Sequence, residues 1–322
     1  MTAATGQAIA DPSAIAAHLA GRLPDFGHVD WVAEIGSTNA CLLARARTDD
    51  APALPWLLGT HLQTEGRGRA GRHWQNQPGT CLMMSIALAV DMPGHRLPAL
   101  SPLSGLAAVE ALRALAGTAA SDIKVKWPND VLFGEKKLGG ILVETTRAPQ
   151  GRGHVVIIGM GLNLSQAANL SRELARGIAD WTEVLQAGHG VQQVAGADPG
   201  AGAGAGEDAG AGARTGAAAA ALPLPCDPQA LAGIGAALAN AWRAVVAQCG
   251  SQGFVGLRER YQAVDALGGR PVNVLEQGEI LFQGTACGYD DDGRMLVETA
   301  DDGIKAVSVG DVSIRPQQQG DA

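Results

Sequence analysis

The order of apolar and polar positions predicts that strands and helices follow one another along the chain. Apolar residues at helical spacing predict a short helix before Pro24 and a longer one from Ser101 to Leu115. The run from Cys81 to Val90 is almost wholly apolar, which is typical of a strand buried on both faces. Further strands are predicted at Val29 to Ile35, Trp56 to Leu62, Lys124 to Trp127, Leu138 to Thr145 and Val155 to Leu162. This order predicts an α/β (α+β) domain with a mixed β-sheet flanked by helices.

The C-terminal part of the chain has a different pattern. A helical region is predicted to begin at Asp227-Pro228 and to extend to about Gln262. Beyond Gly268, alternating runs separated by Gly and Asp turns predict short antiparallel strands at Val272 to Val274, Glu279 to Thr285, Arg294 to Thr299 and Ile304 to Val309. A small C-terminal β-barrel is the simplest arrangement for these strands.

Glycine is distributed unevenly along the chain, and this distribution helps to predict the domain limits. Of 322 residues 44 are glycine, and the stretch from Gly196 to Ala221 is almost entirely Ala and Gly. Such a segment buries too little apolar surface to offset its ordering entropy, which predicts a flexible insert at about 187–226. The predicted organisation is an N-terminal helical extension (1–28), a catalytic domain (29–267) that contains the insert, a C-terminal domain (268–316) and a tail (317–322).

Charge and cysteine content narrow the class of protein. The formal net charge is −8, and the absence of an extended basic run argues against a nucleic-acid-binding protein. The sequence contains no uninterrupted apolar stretch of roughly 18 residues, so no membrane span is predicted. Met1 to Ala10 does not resemble an export signal. The five cysteines show no metal-ligand spacing and are expected to be free thiols in a reducing cytoplasm.

The segment from Gly66 to Arg72 is the strongest chemical signal in the sequence. Three glycines alternate with Arg67, Arg69 and Arg72, so that backbone amides and guanidinium groups can approach one anionic ligand. No Gly-Lys-Ser/Thr follows, so the segment is not a P-loop. Taken by itself, the pattern also fits a flexible basic surface loop.

Three further motifs are weak signals when each is taken alone. In Lys126-Trp127-Pro128-Asn129-Asp130, the proline ends a strand and leaves Asn129 and Asp130 at the strand end where ligands usually bind in α/β sheets. An ordinary Asn-Asp turn is the alternative. The other two motifs are Lys136 to Glu144, with a lysine pair and two glycines, and Gly159 to Asn163.

The order and spacing of these motifs resemble the biotin protein ligases. The resemblance is carried by Ser37-Thr38-Asn39, Gln63 with Gly66 to Arg72, Lys126 to Asp130, Lys137 to Glu144 and Gly159 to Asn163. It runs from about Val29 to Leu164 and resumes in the C-terminal strands. It implies the class II synthetase-like fold of biotin and lipoate ligases. The implied reaction makes biotinyl-5′-AMP from biotin and ATP with release of pyrophosphate, then transfers biotin to a lysine of a carrier protein.

The resemblance also implies roles for individual residues. The expected biotin-binding residues are Ser37, Thr38, Asn39, Gln63, Arg67, Gly68, Arg69, Lys137, Gly140 and Gly159. The expected ATP-binding residues are Arg67, Arg69, Arg72, Trp74, Lys126, Asn129, Lys137 and Asn163. Lys137 would bridge the biotin carboxylate and the α-phosphate, assisted by Arg67, Arg69 and Lys126. Asp130 would organise Mg²⁺ and is one candidate base for the acceptor lysine. Ala70 departs from the basic residue that many relatives carry there.

The implied partner is the biotin carboxyl carrier domain of acetyl-CoA carboxylase, in the cytoplasm, with neither nucleic acid nor membrane as a partner. The oligomeric state is left open, a homodimer being one option. Three alternatives are a lipoate or octanoate ligase or transferase of the same fold, a biotin-responsive regulator, and a catalytically inactive biotin-binding module. About thirty residues precede the catalytic domain, too few for a separate DNA-binding module, and the intact lysine and arginine positions argue against an inactive one.

Overall fold

A computed structural model describes residues 9–48, 53–149, 153–187, 227–310 and 312–317 of the chain. The Ala/Gly insert lies outside the described residues except for position 187, as do residues 1–8 of the N-terminal extension and residues 318–322 of the tail. The division into domains given above therefore remains a proposal.

The first part of the chain forms a seven-stranded mixed sheet. Its strands are β1 (His28–Ile35), β2 (Trp56–Gln63), β3 (Cys81–Val90), β4 (Ile123–Lys126), β5 (Asp130–Phe133), β6 (Lys136–Arg147) and β7 (His154–Asn163). They lie in the order β1-β2-β3-β7-β6-β5-β4. Only β1 and β2 are parallel; every other neighbouring pair is antiparallel. The long central strands β3, β6 and β7 carry most of the site described below.

Helices cover this sheet and connect its strands. They are α1 (Pro12–Arg22), α2 (Thr38–Arg45), α3 (Leu100–Ala116), α4 (Ala167–Leu174), α5 (181–187), α6 (Pro228–Gln252) and α7 (Arg258–Gln262). Asp11, Ser37 and Asp227 cap α1, α2 and α6, each accepting a hydrogen bond from a backbone N–H of the first turn. The sequence analysis predicts the start of α6, because Asp227-Pro228 precedes an apolar repeat.

The C-terminal residues form a separate five-stranded antiparallel sheet. Its strands are β8 (Pro271–Glu276), β9 (Glu279–Tyr289), β10 (Met295–Thr299), β11 (Gly303–Val307) and β12 (Val312–Pro316), in the order β11-β10-β9-β8-β12. The predicted C-terminal β-structure is therefore present.

The two sheets share one apolar core. Buried residues of the second sheet, such as Val272 and Met295, belong to the same cluster as Val125 and Trp127 of the first. The connection between the sheets also pairs with β4, since the N–H of Val125 donates to the carbonyl of Val264 at 2.8 Å. The second sheet is therefore packed firmly against the end of the first.

Most of the predicted elements agree with the structure, and the main differences are as follows. β5 and β12 are absent from the prediction because both are short and lie close to a turn. The predicted helical region reaches Gln262 as expected but is interrupted, because Gly253 adopts a φ of 67° that terminates α6 before α7 begins. Asp130 lies in the second strand of a β4–β5 hairpin, so the analogy with the strand ends of a parallel sheet is wrong.

Two helical stretches, Gly94–Ala116 and Pro228–Gln252, are long and apolar enough to cross a membrane by length and composition alone. Neither is an uninterrupted apolar run, so the sequence criterion used above does not detect them. More than half of the most apolar window of each is buried inside the protein. The indole N–H of Trp242 in the second stretch donates to the carbonyl of Ser104 in the first at 3.0 Å. We therefore interpret both as core helices that pack against each other.

Packing of α1 on α6 makes Leu19 a sensitive position. Leu19 is fully buried, and its Cδ2 would be 3.1 Å from a Cβ placed on Gly235 of α6. We expect Leu19→Ala to lower the free energy of unfolding by about 2–5 kcal/mol, through lost transfer energy and a cavity. Chemical denaturation measures this change. The exposed neighbour His18 supplies the control, and a His18→Ala effect equal to that of Leu19→Ala would contradict the packing.

Buried His61 predicts a loss of stability in acid. Its Nε2 is 2.8 Å from the carbonyl oxygen of Ala10, and burial lowers its pKa below the ordinary 6.5, against the opposing effects of that hydrogen bond and of Asp11. Because the folded state favours the neutral ring, its contribution is present above pH 6.5 and is lost as the pH falls below it. We expect the unfolding midpoint of wild type to fall more steeply over that range than that of His61→Gln. Parallel profiles would contradict this role.

Candidate functional site

A cleft of about 370 Å³ opens between the central strands of the large sheet, the arginine-glycine loop and the end of the second sheet. Most of the residues predicted from the sequence line it: Ser37, Thr38, Asn39, Gln63, Arg67, Gly68, Arg69, Arg72, Trp74, Lys126, Asn129, Asp130, Lys137, Gly140 and Gly159. Several other lining residues were not singled out by the sequence analysis, among them Ser85, Arg176, Gly310 and Arg315. The cleft therefore gathers residues from both sheets.

One end of the cleft is a network of uncharged polar side chains. The oxygen Oε1 of Gln63 accepts from the backbone N–H of Thr38 at 2.8 Å, and Thr38 Oγ1 lies 2.7 Å from Ser85 Oγ. Thr38 is 3% exposed and Ser85 is fully buried. Groups buried in this way discriminate strongly between ligands, because a poorly matched ligand leaves them without partners.

Asn39 extends this network under the strands. Its amide oxygen accepts from Ser85 Oγ at 2.6 Å, and its amide nitrogen donates to the carbonyl of Leu142 at 3.2 Å and to Glu144 Oε2 at 2.9 Å. Gly159 leaves the necessary space, since a Cβ there would overlap the Asn39 amide and lie 2.8 Å from Ser85 Oγ. The direct biotin contact predicted for Asn39 is therefore not what its bonding favours.

The arginine-glycine loop folds back on itself at the mouth of the cleft. The N–H of Gly68 donates to the carbonyl of Arg72 at 2.7 Å, and Ala70 at the tip adopts the left-handed conformation with φ 53°. The Arg69 guanidinium donates to Asn129 Oδ1 at 3.3 Å and to the carbonyl of Gly310. The loop is therefore tied to the β4–β5 hairpin and to the segment between β11 and β12.

The β4–β5 hairpin and the start of β6 place three charged groups together. Lys137 Nζ lies 2.5 Å from Asp130 Oδ1, with side chains 18% and 27% exposed. Burial works to raise the pKa of Asp130, but the positive charges of Lys137, Lys126 and Arg176 hold it below its usual value. Burial lowers the pKa of Lys126, the attraction of Asp130 opposes that change, and the repulsion of Lys137, Arg315 and Arg176 adds to it. Asp130 is therefore ionised at neutral pH and balances a crowded cationic region.

Trp74 lies across the glycines of β6 and β7. A Cβ on Gly161 would be 2.4 Å from its ring, and one on Gly140 would be 3.2 Å from it. Lys137 Nζ is 5.4 Å from the ring centroid, within the range of a cation–π interaction. The indole Nε1 is buried and has no hydrogen-bond partner among the described residues. Trp74 is thus a wall of the cleft with an unused donor.

Asn163 does not line the cleft, so the predicted contact with the nucleotide is not supported. Its buried amide nitrogen donates to the carbonyls of Lys137 at 3.2 Å and Ala179 at 3.1 Å. The backbone of Lys137 is also held by Gly177 and Ala179, with hydrogen bonds of 2.9 Å to each. Asn163 therefore fixes the strand that carries Lys137, which its position at the end of a glycine-rich strand did not reveal.

Charge is distributed very unevenly around the cleft. Among its described lining residues, Asp130 is the only carboxylate, against the cations Arg67, Arg69, Arg72, Lys126, Lys137, Arg176 and Arg315. The whole chain nevertheless carries a net charge of −8. This local excess suits a ligand with several negative charges, such as a nucleoside triphosphate.

Comparison with known proteins gives two family matches along the chain. Residues 35–163 match the biotin/lipoate A/B protein ligase family, and residues 267–315 match the biotin protein ligase C-terminal domain. A biotin protein ligase from Aquifex aeolicus, solved with biotin and ATP, has a similar fold with a TM-score of 0.60 and 23% sequence identity. The superposition covers 89% of this chain and 98% of that one.

Curated relatives match parts of their length. A biotin–[acetyl-CoA-carboxylase] ligase of Mycobacterium tuberculosis is 36% identical over 49% of this chain and 57% of its own length. The bifunctional ligase/repressor BirA of Bacillus subtilis is 41% identical over 33% of this chain and 32% of its own length. The same-named protein of Escherichia coli is 27% identical over 92% of this chain and 76% of its own length.

The two family matches cover the strands that build the cleft and the second sheet that closes its end, in the expected order. The fold is that of the solved biotin protein ligases. The chain therefore belongs to the biotin protein ligase family.

Proposed function

We propose that the protein activates biotin with ATP to biotinyl-5′-AMP and transfers the biotin to a lysine of a carrier protein. The cleft carries this proposal, because it joins a buried uncharged polar network to a cluster of cations. Such a cleft fits a ligand with a neutral polar ring at one end and a carboxylate that must meet a triphosphate at the other.

In the first step the biotin carboxylate attacks the α-phosphorus, and the bond from that phosphorus to the pyrophosphate oxygen breaks. Two anionic groups must approach each other, so cations are needed to offset both charges. Lys137 is placed for this role, with its backbone held on both sides and its ammonium group beside Asp130. Lys126, Arg67 and Arg69 surround the same region.

In the second step the acceptor amine attacks the carbonyl carbon and AMP leaves. The amine must lose a proton, and Asp130 was one candidate base. Its lowered pKa and its ion pair with Lys137 make it a weak base. We therefore assign Asp130 to holding Lys137 and leave the base unassigned.

The residues present fit Mg²⁺ only if substrate phosphates supply most of its ligands. No group of three or more His, Cys, Asp or Glu side chains in the described ranges is placed to hold a metal ion by itself. Mg²⁺ is commonly held by one or two carboxylates together with phosphate oxygens and water. Asp130 is the carboxylate that would take this part, and the ion would neutralise phosphate charge.

The proposal extends to partner and location. We infer that the acceptor is a biotin carboxyl carrier domain, as in the acetyl-CoA carboxylase named for the M. tuberculosis relative. A cytoplasmic location would suit the four described cysteines, which are all free thiols. A homodimer remains one option for its assembly.

Lys137→Ala is expected to abolish biotin-dependent pyrophosphate release, because no cation then bridges the carboxylate and the α-phosphate. Pyrophosphate is measured with purified protein, biotin and ATP. Lys136→Ala is the matched control, since Lys136 is exposed and pairs with Glu183 at 2.6 Å. Normal release from the Lys137→Ala protein would contradict the assignment.

The same assay separates the acid substrates. Biotin, lipoate and octanoate are supplied in turn to the wild-type protein with ATP. The proposal expects pyrophosphate with biotin. Release with lipoate or octanoate, and none with biotin, would assign the cleft to the alternative ligase of the same family.

Transfer is tested with labelled biotin, ATP and a purified carrier domain. Arg67→Ala is expected to lose label on the carrier, because the cleft loses a cation at the phosphates while the fold is retained. Arg243→Ala, which removes an exposed ion pair with Asp25, is expected to leave labelling unchanged. Label on the carrier at the wild-type rate in Arg67→Ala would remove this arginine from the site.

A further inference from the structure

The polar end of the cleft contains a chain of hydrogen bonds whose proton positions can be deduced. The chain runs from Leu142 through Asn39 and Ser85 to Thr38. Thr38 and Asn39 belong to the residues that the sequence predicts to bind biotin, whereas Ser85 belongs to no motif identified in the sequence.

The backbone carbonyl of Leu142 fixes the first link. A carbonyl oxygen can only accept, so the group of Asn39 that faces it must be the amide nitrogen. Glu144 Oε2, at 2.9 Å from the same nitrogen, favours the same orientation. The amide oxygen of Asn39 therefore points to Ser85.

Each later link follows from the one before. Because the Asn39 oxygen can only accept, the single hydroxyl proton of Ser85 is donated to it, at 2.6 Å. Thr38 Oγ1 is 2.7 Å from Ser85 Oγ, and this contact is a hydrogen bond only if Thr38 donates. The proton of Thr38 is then unavailable for the longer 3.1 Å contact with Gln63 Oε1 or for a ligand.

The result is a defined pair of ligand-binding groups. Thr38 Oγ1 offers lone pairs and acts as an acceptor. Gln63 is oriented because its Oε1 accepts from the Thr38 N–H at 2.8 Å, so its Nε2 is left as a donor, with no hydrogen-bond partner among the described residues. An acceptor beside a donor complements the N–H and C=O groups of a cyclic urea.

We propose that Asn39 and Ser85 are positioning residues that hold the Thr38 hydroxyl as a hydrogen-bond acceptor, so that the cleft selects ligands bringing an N–H group to Thr38. This inference rests on the proposed function for the identity of the ring. Gly159 is needed for this chain of hydrogen bonds, because a side chain there would displace the Asn39 amide.

Ser85→Ala tests the proposal through ligand preference. The variant frees the Thr38 proton, so the site accepts ring atoms with or without hydrogen. The probes are biotin and the two analogues in which one ureido N–H is replaced by oxygen, giving cyclic carbamates. The disfavoured carbamate is the one that brings its ring oxygen to Thr38. In the variant we expect the ratio of affinities for biotin and this carbamate to fall by about tenfold, the size of one hydrogen bond. The KM for ATP is expected to stay unchanged.

Two further proteins separate positioning from stability. Ser104→Ala is the matched control, since Ser104 is also fully buried and donates to the carbonyl of Leu100 at 2.6 Å, away from the cleft. Asn39→Leu fills the space beside Gly159 without an amide and should narrow the preference equally. The double variant Asn39→Leu/Ser85→Ala should narrow it no further, because both changes break one chain.

The outcomes are distinct. An unchanged preference in both single variants, with wild type active on biotin, overturns the positioning role alone. An equal loss of affinity for biotin, both carbamates and ATP indicates general damage to the protein and also overturns the positioning role. If wild type neither binds biotin nor releases pyrophosphate with it, the proposed function fails and this inference fails with it.

Discussion

The cleft depends on glycine at three positions of β6 and β7, which are Gly140, Gly159 and Gly161. Gly159 makes room for the Asn39 amide, and Gly161 makes room for the ring of Trp74. Gly140 lies under both Trp74 and the ammonium of Lys137. Two strands that would otherwise present a packed apolar surface thus become a floor on which polar and charged groups from other segments can lie. The polar network, the Trp74 wall and the position of Lys137 all depend on this one property.

Local charge within the cleft, rather than net charge, determines what the molecule can bind. Crowding seven cations around one carboxylate is costly, and the lowered pKa of Lys126 reflects burial and repulsion by its neighbours. Asp130 relieves part of this repulsion by pairing with Lys137. A polyanionic ligand would relieve more of it, so that binding energy is available at the atoms where charge moves in the reaction.

The sequence could predict the residues that stand in recognisable motifs, and little of what supports them. The start of α6 at Asp227-Pro228, the apolar strand Cys81–Val90 and the lysine, arginine and glycine positions follow from local patterns. Ser85 could not be found in this way, since one serine within an apolar strand carries no signal until Thr38 and Asn39 are brought to it across the sheet. The same holds for Asn163, which looks like a ligand-binding residue at the end of a strand but is held by the backbone of Lys137 and Ala179.

Arg315 and Gly310 are two further cleft residues that could not be predicted from the sequence, because they belong to a different part of the chain. They come from the C-terminal segment, whose sequence predicts only a small β-structure, yet both line the cleft. Their position depends on the shared core and on contacts such as the hydrogen bond from Trp127 Nε1 to the carbonyl of Gly293 at 3.2 Å. Trp127 belongs to the motif that carries Asp130, so one residue of that motif anchors the second sheet while another balances the cations. The second sheet is therefore a wall of the cleft, and the packing that holds it also sets the position of Arg315 beside Lys126.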